Sequence, residues 1–280
     1  MKLIHTLLFL FRPDKIQEDF IMASACLKSL EMSTYKTVVI YNQGFFTNEQ
    51  LQEFLSKFDL EYIIIGEGSN VGTTIGRQRC CQYIWDNYPD TEYISELHLD
   101  MIVTKHWEDR LVEYLETHDE PIISCGIVDQ HGNLPFLNKT VTMPASSDAY
   151  CDFLTALKQD SIVHGFTNPC IHVSNILKET GGYNERFLKG KQCFEDDSML
   201  LGYYYYYGTR FNWQPKINYN SVVYHAVAGQ RISMSDNIQV NFNGLVKQYG
   251  AMGMKHLSSL HKSLWHKNFF MQQYENILSE

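Results

Sequence analysis

The first half of the chain alternates short, continuous apolar segments with stretches whose apolar residues recur at helical spacing. The apolar segments predict strands at residues 3–11, 38–40, 62–65 and 92–99. The periodic stretches predict helices at residues 16–30, 51–58, 74–85 and 107–115. Apolar strands separated by amphipathic helices are typical of a mainly parallel sheet with helices on both faces, because such strands are buried on both sides. The sequence therefore predicts an α/β fold.

The alternation also predicts where a ligand would bind, because ligands of such sheets lie beyond the carboxyl ends of the strands. A further apolar strand is predicted at residues 122–128. Residues 130–161 are rich in turn formers and are expected to run over the surface. Residues 227–280 have a helical pattern outside the α/β alternation. We therefore predict a ligand-binding domain at residues 1–227 and a C-terminal helical appendage at residues 228–280.

Composition narrows the class of function. The net charge of −9 argues against a general nucleic-acid binder, which needs a basic surface. An acidic protein that binds an anionic phosphate ligand is expected to recruit a divalent cation. No apolar run reaches the roughly 18 residues of a membrane span, and residues 3–11 resemble a buried strand more than a signal peptide. Seven cysteines without CxxC spacing favour reduced thiols, so a cytoplasmic location is expected.

The strongest local motif is His98-Leu99-Asp100, in which Asp100 directly follows the fourth predicted strand. A carboxylate at the end of a buried strand faces the ligand crevice, where it can bind a divalent cation that also contacts phosphate oxygens. The alternative is that Asp100 only caps the following turn or helix.

A second motif is the glycine pair Gly181-Gly182, followed by three consecutive acids at Glu195-Asp196-Asp197. Acids at a helix start are favoured by the helix dipole, which is the structural alternative. Three in a row repel one another, and a partly buried carboxylate among them can act as a general base. This segment is therefore a candidate catalytic site.

Two weaker signals complete the pattern. Asn70-Val71-Gly72 precedes a predicted helix that carries Arg77, and a helix start with an arginine nearby can bind phosphate or nucleotide. The same residues also suit an ordinary helix start. His225 follows an apolar strand and is either a ligand or a structural histidine.

In their order along the chain, these motifs resemble those of GT-A-fold glycosyltransferases, especially the large inverting family 2. The matching positions are Asn70-Val71-Gly72 with Arg77, His98-Leu99-Asp100 with Trp107, Gly181-Gly182-Tyr183-Asn184-Glu185, Glu195-Asp196 and His225. The resemblance covers roughly residues 1–230 and leaves the C-terminal segment unmatched. It departs from the family at His98, which replaces the first acid of the Asp-x-Asp motif.

The resemblance implies transfer of a sugar from a nucleoside diphosphate, with UDP the commonest donor base in the family, to an unidentified acceptor hydroxyl. It assigns a Mn²⁺ or Mg²⁺ ion to Asp100 and His225, and His98 would favour manganese. It makes Asp196 the general base, with Glu195 orienting either the acceptor or the base, and with Asp197 in reserve. By position, the nucleotide would contact Arg12, Asn42, Asn70, Arg77 and His98. The acceptor is a carbohydrate, a lipid-linked molecule or a protein.

Two other functions stay open at this stage. A nucleotidyltransferase also uses an α/β sheet and acidic metal ligands, but residues 8–15 contain no phosphate-binding glycine. A non-catalytic nucleotide- or sugar-binding protein is kept open by His98. The amphipathic C-terminal segment is expected to pack on its own domain, to form a homodimer, or to rest on a membrane.

Overall fold

The computed structural model describes residues 1–146, 149–208, 212–227 and 235–279. Its strands are β1 (Leu3–Phe9), β2 (Thr37–Asn42), β3 (Glu61–Ile65), β4 (Tyr93–Leu97), β5 (Met101–Ile102), β6 (Ile122–Val128), β7 (Asn133–Leu134), β8 (Lys139–Thr140), β9 (Ile162–His164), β10 (Cys170–Val173) and β11 (Lys216–His225). Its helices are α1 (Ile16–Leu30), α2 (Asn48–Leu55), α3 (Thr73–Asn87), α4 (Asp109–Thr117), α5 (Tyr150–Ala156), α6 (Ser174–Glu179), α7 (Glu195–Tyr203), α8 (Ser235–Leu260) and α9 (Leu264–Ser279). A π-helical segment, Tyr204–Gly208, follows α7.

A nine-stranded sheet forms the centre of the molecule, with the order β3-β2-β1-β4-β10-β6-β11-β5 and β9 paired to β11. Six of these strands, β1 to β4, β6 and β11, run in one direction, and β10 is inserted antiparallel between β4 and β6. The α/β class and the mainly parallel sheet are therefore as the apolar alternation predicts.

Side chains of β1 divide between the two faces of the sheet, as the alternation of a strand requires. Leu3 and Leu7 belong to a buried cluster with α1, α2 and α4 on one face. Ile4 belongs to a second cluster with α3, α6 and α7 on the other face. Because both faces are covered, the carboxyl ends of β1 and β4 are the places where this part of the sheet opens to a ligand.

Most described residues of the segment 130–161 are exposed or half-buried, as predicted for a surface segment, but the segment contains regular elements that were not predicted. This region forms a two-stranded hairpin of β7 and β8, followed by α5. Leu134 and Leu154 are buried there against Tyr219 and Val222 of β11. Apolar residues are too sparse in this segment to produce a visible period, so only the packing against β11 reveals the elements.

The C-terminal helices pack against the sheet domain. Leu245 and Met254 of α8 and Phe270 of α9 are buried in the same cluster as Tyr203 of α7. The helix α8 is broken at Gly250, whose φ is 63° and ψ is −168°. The described helices include none with both the length and the apolarity needed to cross a bilayer. The domain division at residues 227 and 228 stays a prediction.

His5 of β1 provides a test of how burial affects stability. Its ring is fully buried, donates from Nε2 to the Tyr35 carbonyl at 2.8 Å, and lies 2.5 Å from Ser95 Oγ through Nδ1. Burial lowers the pKa of His5 to about 4. Below pH ~6.5 the unfolded chain binds a proton at this residue that the folded chain excludes, so stability is lost as pH falls towards 4.

We expect His5 to account for about 2 kcal/mol of the fall in unfolding free energy between pH 7 and pH 5. Urea unfolding of a His5→Gln variant should show a shallower pH dependence over this range. The exposed His131 is the control, because His131→Gln should leave the slope unchanged. Equal slopes for wild type and His5→Gln would contradict a neutral buried ring.

Candidate active site

A cavity of about 320 Å³ lies beyond the carboxyl ends of β1 and β4. Seven of the nine residues that the sequence predicts for the site lie in its walls: Asn70, Arg77, His98, Asp100, Glu195, Asp196 and His225. They come from the start of α3, the turn after β4, the start of α7 and the end of β11. The fold therefore brings together motifs that are up to 155 residues apart, from Asn70 to His225.

The pairing of β5 with β11 places His225 beside Asp100. Met101 of β5 is in register with His225, and His225 Nε2 lies 3.5 Å from Asp100 Oδ1. His225 Nδ1 donates to the Asn168 carbonyl at 3.0 Å. In the neutral ring, Nε2 therefore has no proton, and its lone pair faces the Asp100 carboxylate. Two acceptors in this arrangement are stabilised by a proton or a cation between them.

Arg77 determines the state of His98. Arg77 Nη2 lies 2.6 Å from His98 Nε2, and because a guanidinium only donates, Nε2 must accept. Burial, and then the charge of Arg77, lower the pKa of His98 to about 3, so the ring is neutral with its proton on Nδ1. That nitrogen lies 3.4 Å from His225 Nε2. In this arrangement His98 is a donor and not a metal ligand.

The residues at this end of the cavity fit a divalent cation. His98, Asp100 and His225 each place a candidate ligand atom within 4.8 Å of the other two. Burial opposes ionisation of Asp100, but its interactions with His225, His98 and its own backbone together outweigh burial, so the pKa of Asp100 is lowered. With His98 held as a donor, Asp100 and His225 supply the available lone pairs. One carboxylate and one imidazole suit Mn²⁺ as well as Mg²⁺.

The acidic segment begins α7 on another wall of the cavity. Arg77 Nη1 donates to Asp196 Oδ1 at 2.6 Å, and Asn168 Nδ2 donates to Oδ2 at 3.2 Å. The Asp196 side chain is 35% exposed and can be reached from the cavity. Burial raises the pKa of Asp196, and Arg77 opposes this. Arg77 therefore orients the carboxylate and limits its basicity.

The two neighbours of Asp196 have different surroundings. Glu195 is buried, its Oε2 has no hydrogen-bond partner among the described residues, and burial followed by the charge of Asp196 raises its pKa to about 7. Asp197 lies 2.6 Å from Nε2 of His261, which follows the end of α8, and is not in the cavity wall. Asp197 thus binds the C-terminal helices, and Glu195 is a second carboxylate of the cavity.

The loop before α7 has an unusual backbone that the sequence motifs do not indicate. Cys193 and Phe194 both adopt positive φ, 73° and 65°, which costs about 1–3 kcal/mol each for residues other than glycine. The buried Asn241 of α8 holds this loop. Its amide donates to the carbonyls of Gln192 at 2.9 Å and Cys193 at 2.8 Å. The only sign of this contact in the sequence is Asn241 itself, a polar residue at a position of α8 that packs inward.

Gln43 also lines the cavity, where it holds the loop before α3, and the sequence does not predict this role. Its Oε1 accepts from the Val71 amide at 2.8 Å, and its Nε2 donates to the Gly72 carbonyl at 2.9 Å. Gly72 has a φ of 91°, and a Cβ there would lie 2.8 Å from the Cα of Lys191. Glycine is therefore required where the loop before α3 approaches the loop before α7.

A second cavity of about 600 Å³ adjoins the first and shares Leu10, Gln43 and Asn70 with it. Arg12 lies in its wall, as expected for the loop after β1, and pairs with the buried Asp19 at 2.5 Å. Phe45 also lines it, with a φ of 81° and 47% of the residue exposed. An exposed aromatic ring and an anchored arginine suit a planar, polar ligand.

Asn42 lies in neither of these two cavities. Its Nδ2 donates to the Phe46 carbonyl at 3.0 Å and to Asn48 Oδ1 at 2.8 Å, and its Oδ1 accepts from the Gly44 amide at 3.1 Å. The side chain braces the turn after β2. The structure therefore does not bring Asn42 together with the other predicted nucleotide-binding residues.

No known-family model matches this sequence, and no curated protein matches it. Solved structures do match. Residues 1–349 of S. aureus TarS align with a TM-score of 0.57 at 11% identity, over 99% of this chain and 71% of that one. The TarS complex with UDP gives 0.57 at 13% identity, over 93% and 70% of the two chains. The TarS complex with UDP-GlcNAc gives 0.56 at 13% identity, over 99% and 72%.

At such low identity the likeness concerns the fold and not the chemistry, which depends on the site. The chain has the α/β fold of the GT-A type, with the mainly parallel sheet that the sequence predicts.

Proposed function

We propose that this chain is a glycosyltransferase that moves a sugar from a UDP donor to an acceptor hydroxyl, with inversion and with a divalent cation. The carrying observation is that Asp100 and His225 share one cavity with Asp196 and Glu195. Groups suited to a metal-bound diphosphate thus face groups suited to proton removal. The fold match to TarS, solved with UDP and UDP-GlcNAc, supports the choice of donor.

The second cavity would hold the nucleoside. Phe45 offers a ring face to a base, and the backbone of the loop after β1, fixed by the Arg12–Asp19 pair, forms the adjoining wall. Because Asn70 belongs to both cavities, a ligand that passes from one to the other passes this residue. We assign the diphosphate to this passage, next to Asp100 and His225.

Mn²⁺ or Mg²⁺ bound by Asp100 and His225 would offset the negative charge on the departing nucleoside diphosphate. Hydrogen bonds within the chain orient the two histidines at this end of the cavity. His225 is oriented by the Asn168 carbonyl, and His98 is oriented by Arg77. Since His98 keeps its proton on Nδ1, it can donate to a ribose or phosphate oxygen.

On the acceptor side, Asp196 would take the proton of the attacking hydroxyl. Asn168 donates to its Oδ2 over 3.2 Å, a contact that an acceptor hydroxyl can replace. Arg77 fixes Oδ1 and so orients Oδ2. Glu195 supports the base, and its raised pKa keeps a part of it protonated near neutrality. The acceptor itself, a carbohydrate, a lipid-linked molecule or a protein, is not specified by these contacts.

Residues 1–227 would carry the transfer reaction, and the appendage at residues 228–280 would support it. Asn241 of α8 holds the loop that lines the cavity, and His261, which follows α8, binds Asp197 at the start of α7. The described residues of the appendage, 235–279, therefore contribute to the shape of the site without lining the cavity.

The test of the proposal is metal-dependent donor binding. Titration calorimetry with UDP, with and without Mn²⁺, should show tighter binding in the presence of the metal. Asp100→Ala and His225→Ala should each remove the metal-dependent part, about tenfold or more for the loss of one ligand. Asp86→Ala, a change at an exposed carboxylate of α3, is the matched control and should bind as the wild type does.

Two outcomes would oppose the proposal. Metal-dependent UDP binding that survives in both variants would remove the assignment of the cation. Binding of UDP-sugars without hydrolysis or transfer in the presence of manganese would instead favour a non-catalytic binding protein.

A further inference from the structure

Asn168 reaches the candidate site through the antiparallel insertion of β10. It lies two residues before this strand begins, and Cys170, the first residue of β10, is level with Glu96 near the end of β4. Because β10 runs against β4, its start lies at the sheet edge where β4 ends. Asn168 is 8% exposed and lines the cavity of about 320 Å³. The topology therefore places a buried amide in the cavity wall.

The two neighbours of Asn168 are tied to β6. The Thr167 amide donates to Ser124 Oγ at 3.2 Å, and Thr167 Oγ1 donates to the Cys125 carbonyl at 2.6 Å. The Cys125 amide donates to the Pro169 carbonyl at 3.3 Å. These bonds fix the backbone on both sides of Asn168, so the position of its side chain is set by the sheet.

Asn168 contacts both halves of the proposed reaction site. Its carbonyl accepts from His225 Nδ1 at 3.0 Å, and its Nδ2 donates to Asp196 Oδ2 at 3.2 Å. In an inverting displacement the anomeric carbon lies between the metal-bound diphosphate and the attacking hydroxyl, hence between His225 and Asp196. A residue that contacts both ends of this line lies beside the transferred sugar.

The Asn168 amide has one hydrogen-bond donor to spare. Its Oδ1 accepts from Cys170 Sγ at 3.4 Å, and burial raises the pKa of Cys170, so the thiol keeps the proton that it donates. An amide nitrogen carries two protons. Among the described residues, Nδ2 has one acceptor, Asp196. The second proton, on a buried group in the cavity wall, is available to a ligand.

We propose that Asn168 binds the transferred sugar by donating its second Nδ2 proton to an exocyclic oxygen of that sugar. This inference rests on the proposed function. The ring oxygen is not the partner, because positive charge develops there during displacement and a donor would oppose it. The partner is a hydroxyl or the carbonyl of an acetamido group. Asn168 thus recognises the sugar, while the metal side recognises the diphosphate.

The test compares a sugar nucleotide with the nucleotide alone. Titration calorimetry with Mn²⁺ and no acceptor gives the ratio of the affinity for UDP-GlcNAc or UDP-glucose to the affinity for UDP. Asn168→Ala should lower this ratio about threefold to tenfold for the sugar that the wild type binds more tightly, as expected for one neutral hydrogen bond. The affinity for UDP should stay near the wild-type value, because the carbonyl that orients His225 belongs to the backbone.

Two further variants control for the fold. Asn168→Leu keeps about the volume of the side chain and removes its donor, so it should lower the same ratio even if Asn168→Ala folds poorly. Asn276→Ala, a change at an exposed asparagine of α9, should leave the ratio unchanged.

A double variant separates a direct contact from an effect through the base. If Asn168 acts only by orienting Asp196, the effect of Asn168→Ala should vanish when Asp196 is already asparagine. A direct contact with the sugar predicts a similar fall of the ratio in the wild type and in Asp196→Asn, because the two effects are then independent.

The outcomes separate this inference from the proposed function. An unchanged ratio in both Asn168 variants would overturn the inference alone, as would a fall that disappears in the Asp196→Asn background. Equal loss of UDP and UDP-sugar binding in both variants would show that Asn168 only supports the structure, and would also overturn it. Absence of UDP binding by the wild type would refute the proposed function and this inference with it.

Discussion

Asp196→Asn should lower the rate of sugar transfer by about a hundredfold or more, while UDP binding stays near the wild-type value. Asparagine keeps the size of the side chain and its contact with Arg77 Nη1, but it cannot take a proton. The measurement is single-turnover transfer, once a donor and an acceptor have been found, alongside calorimetric binding of UDP. The fold should be retained, because Arg77 keeps Glu96 as its buried partner.

Its matched controls are the two adjacent acids. Asp197→Asn should have little effect on transfer, because Asp197 faces His261 and not the cavity. Glu195→Gln should have an intermediate effect if Glu195 only supports the base. If the transfer rate falls strongly in Glu195→Gln and not in Asp196→Asn, the base is Glu195, whose pKa is already raised to about 7. If neither changes the rate, base catalysis is excluded here.

Arg77→Met should destabilise the fold by about 3–5 kcal/mol, because it leaves the Glu96 carboxylate charged and buried without its cation. The two side chains are 4% and 1% exposed, and Nη1 lies 3.5 Å from Oε2. Burial by itself would raise the pKa of Glu96, but Arg77 and then His172 outweigh it and hold it at about 2. Urea unfolding at pH 7 measures the change.

Arg79→Met is the matched control on the same helix. Arg79 pairs with Glu185 at 3.4 Å, but its side chain is 59% exposed, so its loss should cost less than about 1 kcal/mol. Combining Arg77→Met with Glu96→Gln should recover much of the lost stability, because the uncompensated charge is then gone. Equal effects of the Arg77 and Arg79 changes would show that the buried pair is not a main support of the fold.

Much of the fold could be predicted from the sequence where a local pattern encodes it. The strands β1 to β4 and the helices α1 to α4 follow from apolar periodicity, because each buries a face of its own. The short strand β10 and the elements at residues 133–156 were missed, because their burial depends on contacts with β6 and β11. The antiparallel insertion of β10 was equally invisible, since strand order is a property of the assembled sheet.

The residues of the candidate site likewise fall into those that local sequence signals predict and those that only tertiary contacts reveal. Asp100 and Asp196 were predicted from a strand end and an acidic helix start, and His225 from the weaker signal of an apolar strand before it; all three lie in the cavity wall. Gln43, Asn168 and Asn241 belong to no motif, and they position the loops and side chains of the cavity through hydrogen bonds across long sequence separations. Such contacts depend on tertiary packing, which a single sequence does not show.

The sequence by itself determined the α/β class and a set of polar residues at predicted strand and helix ends, since burial and helix geometry act over a few residues. Only the tertiary structure decided how those residues are used. It set Arg77 between His98 and Asp196, so that one is neutral and the other is oriented. It turned Asp197 towards His261 and Asn42 into its own turn. The physical reason is that protonation, orientation and access depend on distances of a few ångströms between groups far apart in the chain.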